Sequence, residues 1–247
     1  MIAASGHGLA LAIFPLIAAA ISLVFAGVLL WRYLNRRRPH EGLWTIALLM
    51  YSAASAAMFV GVFRGWTGAT FRTYWVLGAV LNVPYLAQGE LYLLIRRRAY
   101  THLILVLLAV GTAFAVWKVW RAPVHAAALA NRLPLGKEVF GTHAAPYRIS
   151  QLYAFPAYFL LLGGLVWAAA QMKGRPELRA RTAGTMGIAL GATVVAVGSG
   201  IGAGFHLVPL FSASLAVGIA VMFWGFLRAS GTAPRLRRRP AEPSSAG

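Results

Sequence analysis

In "LNVPYLAQGELYLL", residues 81–94, side chains with hydrogen-bonding and acid chemistry stand inside apolar sequence. Asn82 and Gln88 carry amides, Tyr85 a phenol and Glu90 a carboxyl group. Amides and a phenol can hydrogen-bond a neutral polar solute, and a lone carboxylate can hold a cation or a proton. Gly78, Asn82, Tyr85, Gly89 and Tyr92 recur at spacings of four, three, four and three, which places them on one helical stripe. Pro84 has no N–H to donate, so the carbonyl of Val80 loses its helical partner beside Asn82. A second proline, Pro209, is followed by Ser212 and Ser214. The sequence therefore predicts a ligand site formed by Asn82, Tyr85, Gln88, Glu90, Ser212 and Ser214, with Pro84 and Pro209 as hinges. Glu90 has two readings. It pairs with an arginine at the rim, such as Arg97, or it is a protonatable or cation-binding acid in a cavity.

Other chemistry is poorly served. The chain has no cysteine and no aspartate, and its acids are Glu41, Glu90, Glu138, Glu177 and Glu242. Thiolate catalysis, disulfides and paired-carboxylate mechanisms lack their groups. No His-x-x-x-His pair, Ser/His/Asp set or phosphate-binding loop occurs. His7, His125 and His143 lack ligand-like spacing, so neither a metal nor a cofactor is expected. The last apolar block has no lysine to hold retinal. Tyr51, Tyr85, Tyr153 and Tyr158 fall inside apolar blocks, where they either fill the core or line a pocket.

The elements that must position these residues are membrane helices. Of 247 residues, 60% are hydrophobic, and the mean hydropathy is +0.69. The apolar residues gather into seven blocks at 8–32, 43–63, 73–95, 102–120, 151–171, 183–204 and 206–228, each near the ~20 residues a span requires. The expectation is an all-α membrane protein with seven transmembrane helices in one domain, 1–230. An external loop covers 121–150, and a basic, disordered cytoplasmic tail covers 231–247.

A net charge of +18 would suit nucleic acid, but its placement argues against that partner. Sixteen of the 23 basic residues follow the odd-numbered blocks, as in Arg36–Arg38, Arg96–Arg98 and Arg237–Arg239. Basic loops stay in the cytoplasm, so the N-terminus is expected outside and the C-terminus inside, in the cell membrane. The first block has no basic residue before it and "WRYLNRRRP" after it, the pattern of a retained span rather than a signal peptide.

Short matches recur in order: "AIFP" with "YAFP", "IAL" with "IAL" and "VP" with "VP". They align blocks 1–3 with blocks 5–7 and leave block 4 as a connector. Such a 3+1+3 parallel repeat is the plan of SWEET-type transporters, although the Pro-Gln signature of that family is absent. In the sixth block, Gly187-x-x-x-Gly191 and Gly198-x-x-x-Gly202 suit either close helix packing or a gate. A small-solute transporter or permease is the leading functional expectation. The alternatives are a sensor or accessory subunit of a membrane complex and an enzyme acting on a lipid. The expected partners are the lipid bilayer, an unidentified small molecule, and either a second copy or a membrane-complex subunit.

Overall fold

The computed structural model describes residues 6–231, with side chains from residue 12 onward; the expected tail beyond residue 231 lies outside the described residues. Among the described residues every regular element is helical. The chain runs through α1 (Gly6–Arg36), α2 (Pro39–Arg64), α3 (Gly68–Tyr74), a π-helical segment (Trp75–Leu81), α4 (Asn82–Leu94) and α5 (Arg98–Arg121). A 3₁₀ turn (Ala126–Ala130) and α6 (Gly136–Val139) lie in the long connection, and α7 (Ala145–Met172), α8 (Arg179–Gly204) and α9 (Val208–Ala229) complete the path.

Six helices are long and apolar enough to cross a membrane. Their outward faces carry large apolar side chains, such as Leu103, Leu107, Val110 and Phe114 of α5. A water-soluble surface does not present apolar stripes on this scale. The expected block at 73–95 overlaps a seventh helical path, Gly68–Leu94, which is 27 residues long but is not one α-helix. Its middle is wound as a π-helix, and the N–H of Asn82 reaches the carbonyl of Leu77 five residues back. Pro84 accounts for the position of this wide turn. Its ring crowds the carbonyl of Val80, which lies inside the wide turn, and widening the helix there relieves the clash.

The connections define two ends. At the basic end Arg32 bridges Glu41 at 3.1 Å; at the loop end the 122–144 connection packs on the helices. Around the bundle α1 touches α2, α2 touches α4, α4 touches α7, α7 touches α8, α8 touches α9, and α9 returns to α1. Helix α5 stands outside this ring and packs on α4 and α7. It is held by Tyr85 Oη to Thr112 Oγ1 at 3.2 Å and by Gln88 Nε2 donating to the carbonyl of Thr101 at 2.8 Å.

The α8–α9 contact is a seam of glycines. An added Cβ at Gly191 would lie 2.5 Å from the carbonyl oxygen of Gly218, and one at Gly202 would lie 2.7 Å from the nitrogen of Phe211. Gly184 and Gly198 meet Ala229 and Ser214 still more closely. Small residues at this spacing bring the two backbones together, which is how membrane helices associate without a hydrophobic driving force.

Candidate functional site

At the loop end the ring encloses a cavity of about 570 Å³. This is within the ~300–1,000 Å³ usual for small-molecule sites. Its walls differ in chemistry. Helix α9 contributes Phe211, Leu215, Ile219 and Met222, and α8 adds Ala192, Val195 and Ala196. Across from them, α2, α3 and α4 present Ser55, Tyr74 and Asn82. Asn82 is only 4% exposed, yet its amide has no hydrogen-bond partner among the described residues. Ser55 and the Tyr74 hydroxyl are also without partners there. Leaving such a group unmade in a protein interior costs ~1–3 kcal/mol. Three on one wall make a surface suited to a polar group of a ligand or to water.

Two tyrosines on the cavity are engaged. Tyr51 Oη donates to the carbonyl of Leu215 at 2.9 Å and so joins α2 to α9. Tyr158 Oη donates to Thr193 Oγ1 at 3.1 Å and joins α7 to α8. Toward the basic end Ala87, Leu161, Leu165 and Ala189 pack together and close the floor.

The 122–144 connection forms a cap. Leu133, Leu135, Val139 and Phe140 are buried beneath it, against an aromatic group that includes Phe71 and Trp75. Gly136 rests directly on the Trp75 ring, where no Cβ would fit. Arg72 Nη2 donates to the carbonyl of Ala122 at 2.8 Å, and Trp66 Nε1 to that of Arg132 at 3.1 Å. Glu138 Oε1 lies 3.6 Å from His206 Nε2, so the cap sits beside the turn between α8 and α9. Lys137, exposed on the cap, is the one charged residue lining the cavity among the described residues.

The predicted site residues disperse. Asn82 reaches the cavity, whereas Tyr85 and Gln88 hold α5 and do not line it. Gly89 of the same stripe is packed under Trp44, whose Nε1 donates to the carbonyl of Leu86 at 3.1 Å. Glu90 is 2% exposed and lies against Gly164 of α7, away from the cavity. It makes no ion pair with a described residue, so the expected bridge to Arg97 is not formed. Ser214 faces Gly198 in the glycine seam and donates to the carbonyl of Phe211 at 2.8 Å; Ser212 is fully buried with an unpartnered hydroxyl off the cavity. Pro84 is buried just below the wide turn, and Pro209 lies in the first turn of α9, where a missing N–H breaks no helical bond.

Of the four tyrosines, Tyr51 and Tyr158 line the cavity, whereas Tyr153 meets Gly111 of α5. The cap was not foreseen as part of the site. Its signal was "RLPLGKEVF", in which Leu133, Leu135, Val139 and Phe140 are too apolar for a free external loop.

These features define a multi-pass helical membrane protein with a capped, mostly apolar cavity between its helices. Compared with protein-family models, curated proteins and solved structures, the chain matches none of them.

Proposed function

We propose that the protein is a small-solute transporter or permease of the cell membrane. In this reading the path Gly68–Leu94 is a seventh span, the N-terminus is outside, the basic end faces the cytoplasm, and α1–α4 and α7–α9 are two related three-helix units. The observation that carries it is the unpartnered Asn82 amide on a cavity ringed by those two units, with α5 excluded. Supporting the repeat, the matched residues Pro15 and Pro156 both fall inside helices, α1 and α7. The order of helices around the ring is also the order a two-fold axis along the bundle would produce. Bound solute takes the Asn82, Ser55 and Tyr74 wall with its polar part and the α8–α9 wall with its apolar part.

The test is uptake of radiolabelled glycerol, glucose, leucine and decanoate into proteoliposomes. At least one should enter faster than in protein-free vesicles, and Asn82→Leu should slow it about tenfold, the effect of ~1.4 kcal/mol, without loss of folded protein. No uptake above background for any of the four would remove the transporter reading.

A second reading has its own support. The cavity is closed toward the basic end by the Ala87–Leu161–Leu165–Ala189 cluster. A site accessible from one side suits a sensor or accessory subunit whose ligand arrives from outside and whose basic loops meet a cytoplasmic partner. Saturable binding without uptake would favour it.

A further inference from the structure

The mouth of the cavity is lateral. The exposed residues on its rim are Gln151 and Phe155 of α7, Gly200 and Gly204 of α8, and Lys137 of the cap. Phe155 is 59% exposed although it is ten residues into a membrane-length helix, or about 15 Å at 1.5 Å per residue. An added Cβ at Gly200 or Gly204 would meet nothing within 4 Å. Helices α7 and α8 are joined at Tyr158–Thr193 and packed tightly below that point, and above it they stand apart under the cap. In a bilayer spanned by α7 and α8, this cleft would open beside lipid from the loop end down to Phe155. A solute from water meets Lys137 and the cap there; a lipid-dissolved molecule meets an open side door.

From this geometry we infer that the cavity takes a single-chain amphiphile with an anionic head, which enters from the adjoining leaflet through the cleft between α7 and α8. The chain occupies the apolar space lined by Phe211, Leu215, Ile219 and Met222. The head stays at the mouth, beside the Lys137 ammonium and within reach of the Gln151 amide. Lys137 makes no ion pair with a described residue, so its charge is free for a ligand. Among the described residues no acid lines the cavity, so its wall favours an anion over a cation. The inference rests on the cavity being a binding site and is independent of transport.

The experiment uses the full chain in phosphatidylcholine nanodiscs and a decanoic acid bearing a terminal diazirine. On irradiation, label is expected on peptides of α8, α9 and the cap, with little on the lipid-facing surface of α5. Gly200→Leu should lower that labelling at least tenfold, and Gly204→Leu provides a second block at the same rim. Lys137→Gln should remove the preference for the acid over the matching decanol probe. Unlabelled decanoate and lysophosphatidic acid, added as competitors, distinguish a free fatty acid from a lysolipid as the better ligand. Label spread over α5 as heavily as over α8, labelling unchanged in both glycine variants, or equal labelling by acid and alcohol in the native protein would each overturn the inference. Labelling without uptake in proteoliposomes would retire the transporter reading and keep this one; uptake of glucose without labelling would do the reverse.

Discussion

Helix α8 meets its two neighbours in opposite ways. Toward α9 its glycines are an absence of side chain that the partner backbone fills, with Gly191 and Gly202 in direct backbone contact. Toward α7 its glycines Gly200 and Gly204 are an absence that nothing fills. The same residue type thus serves closure on one face and access on the other, and spacing alone does not say which. What separates them is the partner: α9 answers with Gly218 and Gly225, whereas α7 answers with large side chains, Phe155 on the cavity rim and Tyr158 bonded to Thr193.

The comparison can be broken most sharply at Gly191. Gly191→Leu forces a side chain onto the backbone of α9, and overpacking of this kind costs ~3 kcal/mol or more. At about 2–4 °C per kcal/mol for a chain of this size, thermal unfolding in detergent should fall by ~6–12 °C. A fall under 2 °C would mean the seam is looser than its distances show. On the opposite face the sign reverses. Gly200→Ala adds a methyl group in open space and removes the entropic penalty of a helical glycine, a gain of ~0.5–1 kcal/mol. The melting temperature should rise by ~1–4 °C; a decrease would place a neighbour where the structure shows none. The smallest effect belongs to the joint between the two regions. Thr193→Val removes the acceptor of Tyr158, and interhelical hydrogen bonds in membranes average ~0.6 kcal/mol. Stability should change by about that much, while labelling by the decanoate probe should extend deeper along α7, toward Leu161.

Much of this architecture was legible in the sequence, and for plain reasons. Long apolar blocks and arginine clusters between them are signals of composition and order, which survive without knowledge of any contact. The polar stripe of the third block was legible as a stripe, but its assignment to one site was not. Asn82 reached the cavity, while Tyr85 and Gln88 were used to attach α5. A hydrogen-bonding side chain inside a span states only that some partner exists; a ligand and a neighbouring helix satisfy it equally well.

The serines of α9 lie off this cavity for a different reason, which is phase. Phe211 and Leu215 face the cavity, so Ser212 and Ser214, one residue to either side, turn away from it. An apolar helix gives no polar face from which to fix that rotation. Pro84 marked where the helix would yield but not how, because a proline can be met by a kink, a broken bond or a widened turn.

That widened turn joins two parts of the molecule otherwise described separately. Trp75–Leu81 holds one backbone residue more than an α-helical path of the same length would. A π turn of this kind is a stored step of register: returning it to α geometry rotates everything on one side by ~100° and advances it by ~1.5 Å. Above the step is Tyr74 on the cavity wall, at its first residue is Trp75, the seat of Gly136 in the cap, and below it is Asn82. Roof and wall therefore meet at the two ends of the same seven residues, as parts of one screw thread.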